Sequence, residues 1–223
     1  MIALIIKPLT TKLVSLVVML LFSITIHSEN IATDPSTQQR FKFNHVKNES
    51  HFMIDFNQKQ EVNKWRITND GVMGGRSKGD MLIEDEHGVF SGNISLDNNG
   101  GFSSVFRAVK PLSKDFETVI IDIKGDGQIY QLRMVVYVDG YRLAYKQDFN
   151  TVDGQREKLK FTLSDFQASF RGRMVNNAPR LKYKDIREVG FLVTKKVAGT
   201  FSLSVFNLLF LNDADSTNSK QIV

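Results

Sequence analysis

Residues 128–149 read QIYQLRMVVYVDGYRLAYKQDF, and their pattern decides the fold. Asp139-Gly140 splits two runs of alternating apolar and polar residues. That dipeptide has the chemistry of a two-residue type I′ turn, in which both central residues take positive φ. The register imposed by such a turn pairs Val138 with Tyr141, Val136 with Leu143, Met134 with Tyr145, Leu132 with Gln147 and Tyr130 with Phe149. These residues share one face and are apolar or aromatic apart from Gln147. The other face carries Gln131, Arg133, Arg142, Lys146 and Asp148. A hairpin divided in this way expects one face on a core and the other in water.

Working outward, short β-branched or alternating runs recur about every ten residues between Gly, Asn and Asp clusters. They predict strands at HFMIDF (51–56), VFSGNISL (89–96), FSSVFR (102–107), TVIIDIKG (118–125), EKLKFTL (157–163), REVGFLVT (187–194) and TFSLSVFNLLFL (200–211). With the hairpin this makes eight or nine strands and leaves little room for helix beyond one turn capped at Ser164. The class is all-β, an antiparallel sandwich or barrel. The acidic run Glu84-Asp85-Glu86-His87 is expected as a solvated hairpin turn.

The first 28 residues place Lys7 and Lys12 ahead of an uncharged apolar run from Leu13 to Ile26. That run is shorter than the roughly 20 apolar residues of a spanning helix, so 1–28 reads as a signal peptide, with an N-terminal anchor as the alternative. Residues 29–50 read as a polar linker, 51–212 as the β-sandwich domain and 213–223 as a flexible tail. The expected location is therefore exported, periplasmic or membrane-anchored facing the periplasm. Any membrane contact runs through the N-terminal segment.

The 223 residues carry 29 Lys+Arg against 24 Asp+Glu, a net +5. Setting aside the leader removes two lysines and no acid, leaving 27 − 24 = +3 and little support for a nucleic-acid partner. Cysteine is absent, which excludes disulfides, thiolate metal sites and cysteine nucleophiles. With 17 Phe and one Trp, the core is expected to be phenylalanine-rich. No two histidines have the spacing of a local metal pair, and no serine elbow, P-loop or dinucleotide fingerprint occurs. No cofactor or metal is expected. A hydrolase would need acids converging from among Asp70, Asp80, Asp126 and Asp148.

The unusual segment is WRITNDGVMGGRSKGD, residues 65–80. Asn69, Asp70, Gly71, Gly74 and Gly75 suit a compact loop whose amides make an anion-binding concavity beside Arg76 and Ser77. The alternative is a tight connection at the end of a sandwich, with Trp65 and Met73 plugging the core. Two further clusters, Asn98-Asn99-Gly100-Gly101 and Gly125-Asp126-Gly127, read in isolation as hairpin turns. A fourth, Phe170-Arg171-Gly172-Arg173, places two arginines around a glycine, an arrangement suited to a carboxylate or phosphate.

Together NDGVMGGRS (69–77), FSGNISLDNNGGFSSV (90–105), KGDGQIY (124–130) and FRGR (170–173) resemble the complex I intermediate-associated protein family over about residues 52–211. The resemblance implies a galactose-binding-domain-like β-sandwich of jelly-roll type. It also implies a non-enzymatic role assisting respiratory-complex assembly through a protein partner. Its motif positions include Asn69, Asp70, Gly74, Gly75, Arg76, Ser77, Gly101, Asp126, Arg171 and Arg173, which are the candidate ligand- or partner-binding residues. Asp70, Arg76, Arg171 and Arg173 are expected to meet in one polar cluster at an end of the sandwich. An exported carbohydrate-binding module is the alternative function, with Tyr137 on the outward face of the hairpin as the residue to stack on a sugar.

Overall fold

The computed structural model describes residues 51–111, 115–195 and 197–212. The expected leader, linker and tail lie outside the described residues. In chain order the strands are β1 (His51–Asp55), β2 (Trp65–Asn69), β3 (Lys78–Glu84), β4 (His87–Ile94), β5 (Phe102–Ala108), β6 (Thr118–Lys124) and β7 (Ile129–Val138). They continue as β8 (Tyr141–Asn150), β9 (Arg156–Thr162), β10 (Gln167–Phe170), β11 (Arg173–Met174), β12 (Glu188–Thr194) and β13 (Gly199–Leu211).

The strands form two antiparallel sheets. One runs β3-β4-β13-β6-β9, with β1 joining the C-terminal half of β13. The other runs β11-β10-β8-β7-β12-β5-β2. This is the expected jelly-roll sandwich. The β7–β8 hairpin has the register read from the sequence, from Val138 opposite Tyr141 to Tyr130 opposite Phe149, with Asp139 and Gly140 at φ 49° and 79°. The Glu84–His87 turn also closes as expected, with Asp85 and Glu86 at positive φ between β3 and β4.

Four strands escape sequence reading. β2 lies inside the 65–80 segment read as a loop and β3 begins in it, while β10 and β11 are too short for alternation to register. The Asn98–Gly101 and Gly125–Gly127 clusters are corners rather than hairpins, because β4 to β5 and β6 to β7 pass from one sheet to the other. The helical turn near Ser164 is a single 3₁₀ turn, Leu163–Asp165, without a side-chain cap. The Ser164 hydroxyl instead donates to Asp165.

The core sits between the two inner faces and is aromatic. Trp65 stacks between Phe56 and Phe191 at 5.7 and 6.4 Å, while Phe149 packs against Tyr130, Phe161 and Phe191 at 5.9–6.3 Å. Each buried ring of this kind contributes roughly 1.5–3 kcal/mol through the water-exposed area it removes. Met73, expected in the core, is 66% exposed, because the turn that carries it stands away from the inner faces.

The outward face of the second sheet departs from the simple expectation of a wetted surface. Gln131, Val135 and Ala144 are buried there, and Phe106, Val135 and Ala144 form a small apolar cluster of their own. In a seven-stranded sheet the central strands have neighbours on both sides, and Arg142 lies over the Phe106 ring.

Candidate functional site

The glycine-rich motifs converge on Asp70, the first residue of the 3₁₀ turn Asp70–Met73. Its carboxylate is fully buried. Oδ1 accepts the Ser77 amide at 2.9 Å, and Oδ2 accepts the amides of Gly101 at 2.6 Å and Phe102 at 3.3 Å, together with the Ser77 hydroxyl. The Ser77 hydroxyl in turn accepts the Ser95 amide at 3.0 Å. Burial opposes ionisation, yet the donors from Ser77, Gly101 and Phe102 outweigh it and hold the pKa of Asp70 below its ordinary value. The amides that gather around an anion are those of Ser77, Gly101 and Phe102 rather than those of the 69–75 loop, where Gly74 and Gly75 donate back to the Gly71 and Asp70 carbonyls, and the anion is the protein's own carboxylate.

The surrounding glycines follow from that packing. A Cβ on Gly75 would lie 2.4 Å from the Asp70 carboxyl carbon, and one on Gly100 would lie 2.6 Å from Oδ2. Gly74, at φ 90°, ends the turn in the left-handed region where other residues are strained. Asn69 accepts the Ser103 hydroxyl at 2.6 Å, and Asn98 donates to the Gly74 carbonyl at 3.0 Å, so the loops following β2 and β4 are tied directly.

The expected polar cluster of Asp70, Arg76, Arg171 and Arg173 is not assembled as one unit. Asp70 is sealed inside its loop network. Arg76 points outward and approaches Asp97 at 3.7 Å, with most of its side chain exposed. Arg171 occupies a tight turn at φ 48° with its guanidinium 5.3 Å from the Phe170 ring centre, and Arg173 is exposed on β11. Asp126 is a second staple: its carboxylate accepts from Tyr130, Gln128 and the Ser202 amide at 2.6–2.9 Å, joining the starts of β7 and β13. Among the described residues, the hydrogen bonds of Asp70, Asp80, Asp126 and Asp148 go to four separate sets of partners. No group of three or more His, Asp and Glu among them is gathered to hold a metal ion.

The open chemistry lies elsewhere, in a groove of about 910 Å³ across the outward face of the second sheet. At one end stand Val72 and Met73, exposed on the turn after β2; at the other are Arg171 and Gly172 of the β10–β11 turn. Glu188, at the start of β12, is 9% exposed and anchors the middle. It accepts from Arg142 at 2.8 Å, Arg66 at 3.3 Å and the Tyr137 hydroxyl at 3.0 Å. Burial pushes its pKa up, but the two arginines and the tyrosine more than offset this, and the net shift is downward. Arg142 also lies over the Phe106 ring, 4.5 Å from its centre.

Arg133 lines the same groove, and its guanidinium donates twice to Gln131 Oε1, at 3.0 and 2.7 Å. Burial, reinforced by the neighbouring positive charge of Arg142 and opposed by Asp148, brings its pKa down to about 10. Sequence reading had placed Gln131, Arg133, Arg142 and Lys146 on this face. It missed Arg66, Phe106 and Glu188, which come from three strands that only the β2-β5-β12-β7-β8 order makes neighbours.

Comparison with known proteins places this geometry among relatives. Complex I intermediate-associated protein 30, mitochondrial, of Mus musculus is 22% identical over 182 residues, 72% of this chain and 56% of the relative. A probable mitochondrial complex I intermediate-associated protein 30 of Caenorhabditis briggsae is 24% identical over 190 residues, 74% of this chain and 55% of the relative. The chain thus spans about half the length of the curated relatives it matches.

Among solved structures, the family 11 carbohydrate-binding module of a cellulosomal cellulase of Clostridium thermocellum is similar at TM-score 0.56 and 13% identity, over 73% of this chain and 94% of that one. A family 11 module from the same organism, in complex with a mixed-linked tetrasaccharide, gives TM-score 0.55 and 13% identity, over 73% and 95%. At such identity the likeness is one of fold. Residues 54–205, nearly the whole sandwich, match the model of the family described as Complex I intermediate-associated protein 30, and the chain belongs to that family.

Proposed function

We propose that this protein is a non-enzymatic binding module of assembly-factor type, and that the groove on the outward face of the second sheet receives a protein partner. Family membership supports a respiratory-complex assembly intermediate as that partner. The observation that carries the reading is the groove itself: exposed Val72 and Met73 face a row of arginines over a rigid sheet. A rigid β scaffold with exposed apolar side chains at its rim suits recognition of a partner surface. The leader read at residues 1–28 supports an exported protein, periplasmic or membrane-anchored, meeting the partner on that side of the membrane.

A photo-crosslinking residue at Met73, introduced into the full chain in cells and followed by membrane fractionation, tests this. A discrete protein adduct that the same residue at Asp80, on the other sheet, does not form is the expected result. Absence of any protein adduct at Met73 would overturn the reading.

A carbohydrate-binding module is the second reading, favoured by the shared fold with the family 11 modules and by Tyr137, which is 54% exposed in the groove wall. It ranks lower on physical grounds. Sugar sites use open aromatic faces, whereas Arg142 covers Phe106 and the Tyr137 hydroxyl is held by Glu188. Retention on a glycan array without a protein adduct would reverse the order.

A further inference from the structure

We infer that the groove selects an extended acidic segment of its partner, with the ligand's carboxylates completing the coordination of Arg133 and Arg171. The inference rests on the protein-partner reading and names the chemistry of that partner.

The groove has a marked charge imbalance. Arg66, Arg133, Arg142, Lys146 and Arg171 line it against the single carboxylate of Glu188. Arg66 and Arg142 share Glu188, and Lys146 approaches Asp148 at 3.5 Å. Among the described residues Arg133 finds only the neutral amide of Gln131 as a hydrogen-bond acceptor, and Arg171 only the face of Phe170. Asp148 acts on Arg133 without hydrogen-bonding it, and a half-buried guanidinium with no directly paired carboxylate is relieved by one that it can grip through two parallel bonds.

Shape sets the form of the ligand. From β10 to β2 the sheet crosses five inter-strand steps, or about 24 Å at the usual spacing, the reach of about seven extended residues. The apolar end at Val72 and Met73, with Leu192 on the floor, adds a preference for aliphatic side chains among the acids. Hydroxyl-rich polymers gain nothing from that end, so an acidic-apolar peptide fits better than an anionic polysaccharide.

Fluorescence anisotropy on the full chain decides the matter with three probes: a short labelled peptide alternating Glu and Leu, its counterpart with every Glu replaced by Gln, and a labelled oligogalacturonate. The acidic peptide is expected to bind about tenfold or more tightly than the Gln peptide and to weaken as salt rises. Arg133→Gln should lose about tenfold, Arg133→Lys should recover part of that loss, and Arg76→Gln, outside the groove, should change nothing.

Equal binding of the Gln peptide, undiminished binding by Arg133→Gln at an unchanged melting temperature, or binding of oligogalacturonate alone overturns the inference. Should Arg133→Gln fail to fold, Arg171→Gln on its exposed turn carries the same test. A Met73 adduct together with indifference to peptide charge would sink the acidic preference and leave the protein-partner reading standing. Loss of the adduct would sink both.

Discussion

Asp70 and Glu188 are both buried carboxylates with lowered pKa, yet they serve opposite ends. Asp70 is held by backbone amides and a hydroxyl from two loops, with glycines pressed against it. Every neighbour is neutral and the network is closed. Glu188 is held by two arginines and a tyrosine from three strands, beside further cations that it does not neutralise. The first arrangement locks the corners of a fold. The second leaves positive charge facing an open groove. The most conspicuous motif in the chain is thus a structural staple, while the surface able to recognise another molecule is assembled from inconspicuous residues.

The comparison breaks most sharply at Asp70. Asp70→Ala would strand the buried amides of Ser77, Gly101 and Phe102, at a cost of about 4 kcal/mol, read as the loss in chemical denaturation. If stability is unchanged while partner binding disappears, the staple reading is wrong.

Acid probes the same difference. The lowered pKa values of Asp70 and Glu188 mean that these groups bind protons more readily when unfolded. Their contribution is therefore complete above the ordinary carboxylate range and is lost as pH falls through the lowered native values. Melting temperature should hold from neutrality to about pH 5 and fall below about pH 4. Asp70→Asn should show a flatter acid limb than the parent.

Gly75→Ala comes next, since its methyl group meets the Asp70 side chain. About 2 kcal/mol is expected, and combining it with Asp70→Ala should cost less than the sum, because the space is then vacant. Additive costs in the double mutant would show that Gly75 is needed for another reason. Glu188→Gln should cost about 2 kcal/mol while tightening the acidic peptide by about threefold, whereas weaker binding would mean that Glu188 positions the arginines rather than tempering them. The smallest effect is expected for Arg76→Ala, within about 0.5 kcal/mol, because its contact with Asp97 is long and exposed.

Legibility in the sequence followed the range of the interaction. The β7–β8 hairpin was read to the residue because Asp139-Gly140 sets both turn type and register locally. Trp65 is in the core as the sequence suggests, but Met73 is not, since the chain passes from β2 into the Asp70–Met73 turn between them and no period carries across a turn. The glycines around Asp70 were visible as a motif. Their reason was not, because the contacts of Gly100 and Gly101 with Asp70 span some thirty residues. The turn clusters at 98–101 and 125–127 looked like hairpins for the same reason: local turn chemistry does not say which sheet the next strand joins.

The sequence by itself determined an all-β chain, the register of its central hairpin and the motifs that mark its family. Periodicity and turn chemistry are properties of neighbouring residues, so they survive without a fold. Only the tertiary structure decided that Asp70 is consumed internally, and that Arg66, Arg133, Arg142 and Glu188 share one groove. Those facts depend on strand order, which sets residues up to 122 positions apart within hydrogen-bonding distance.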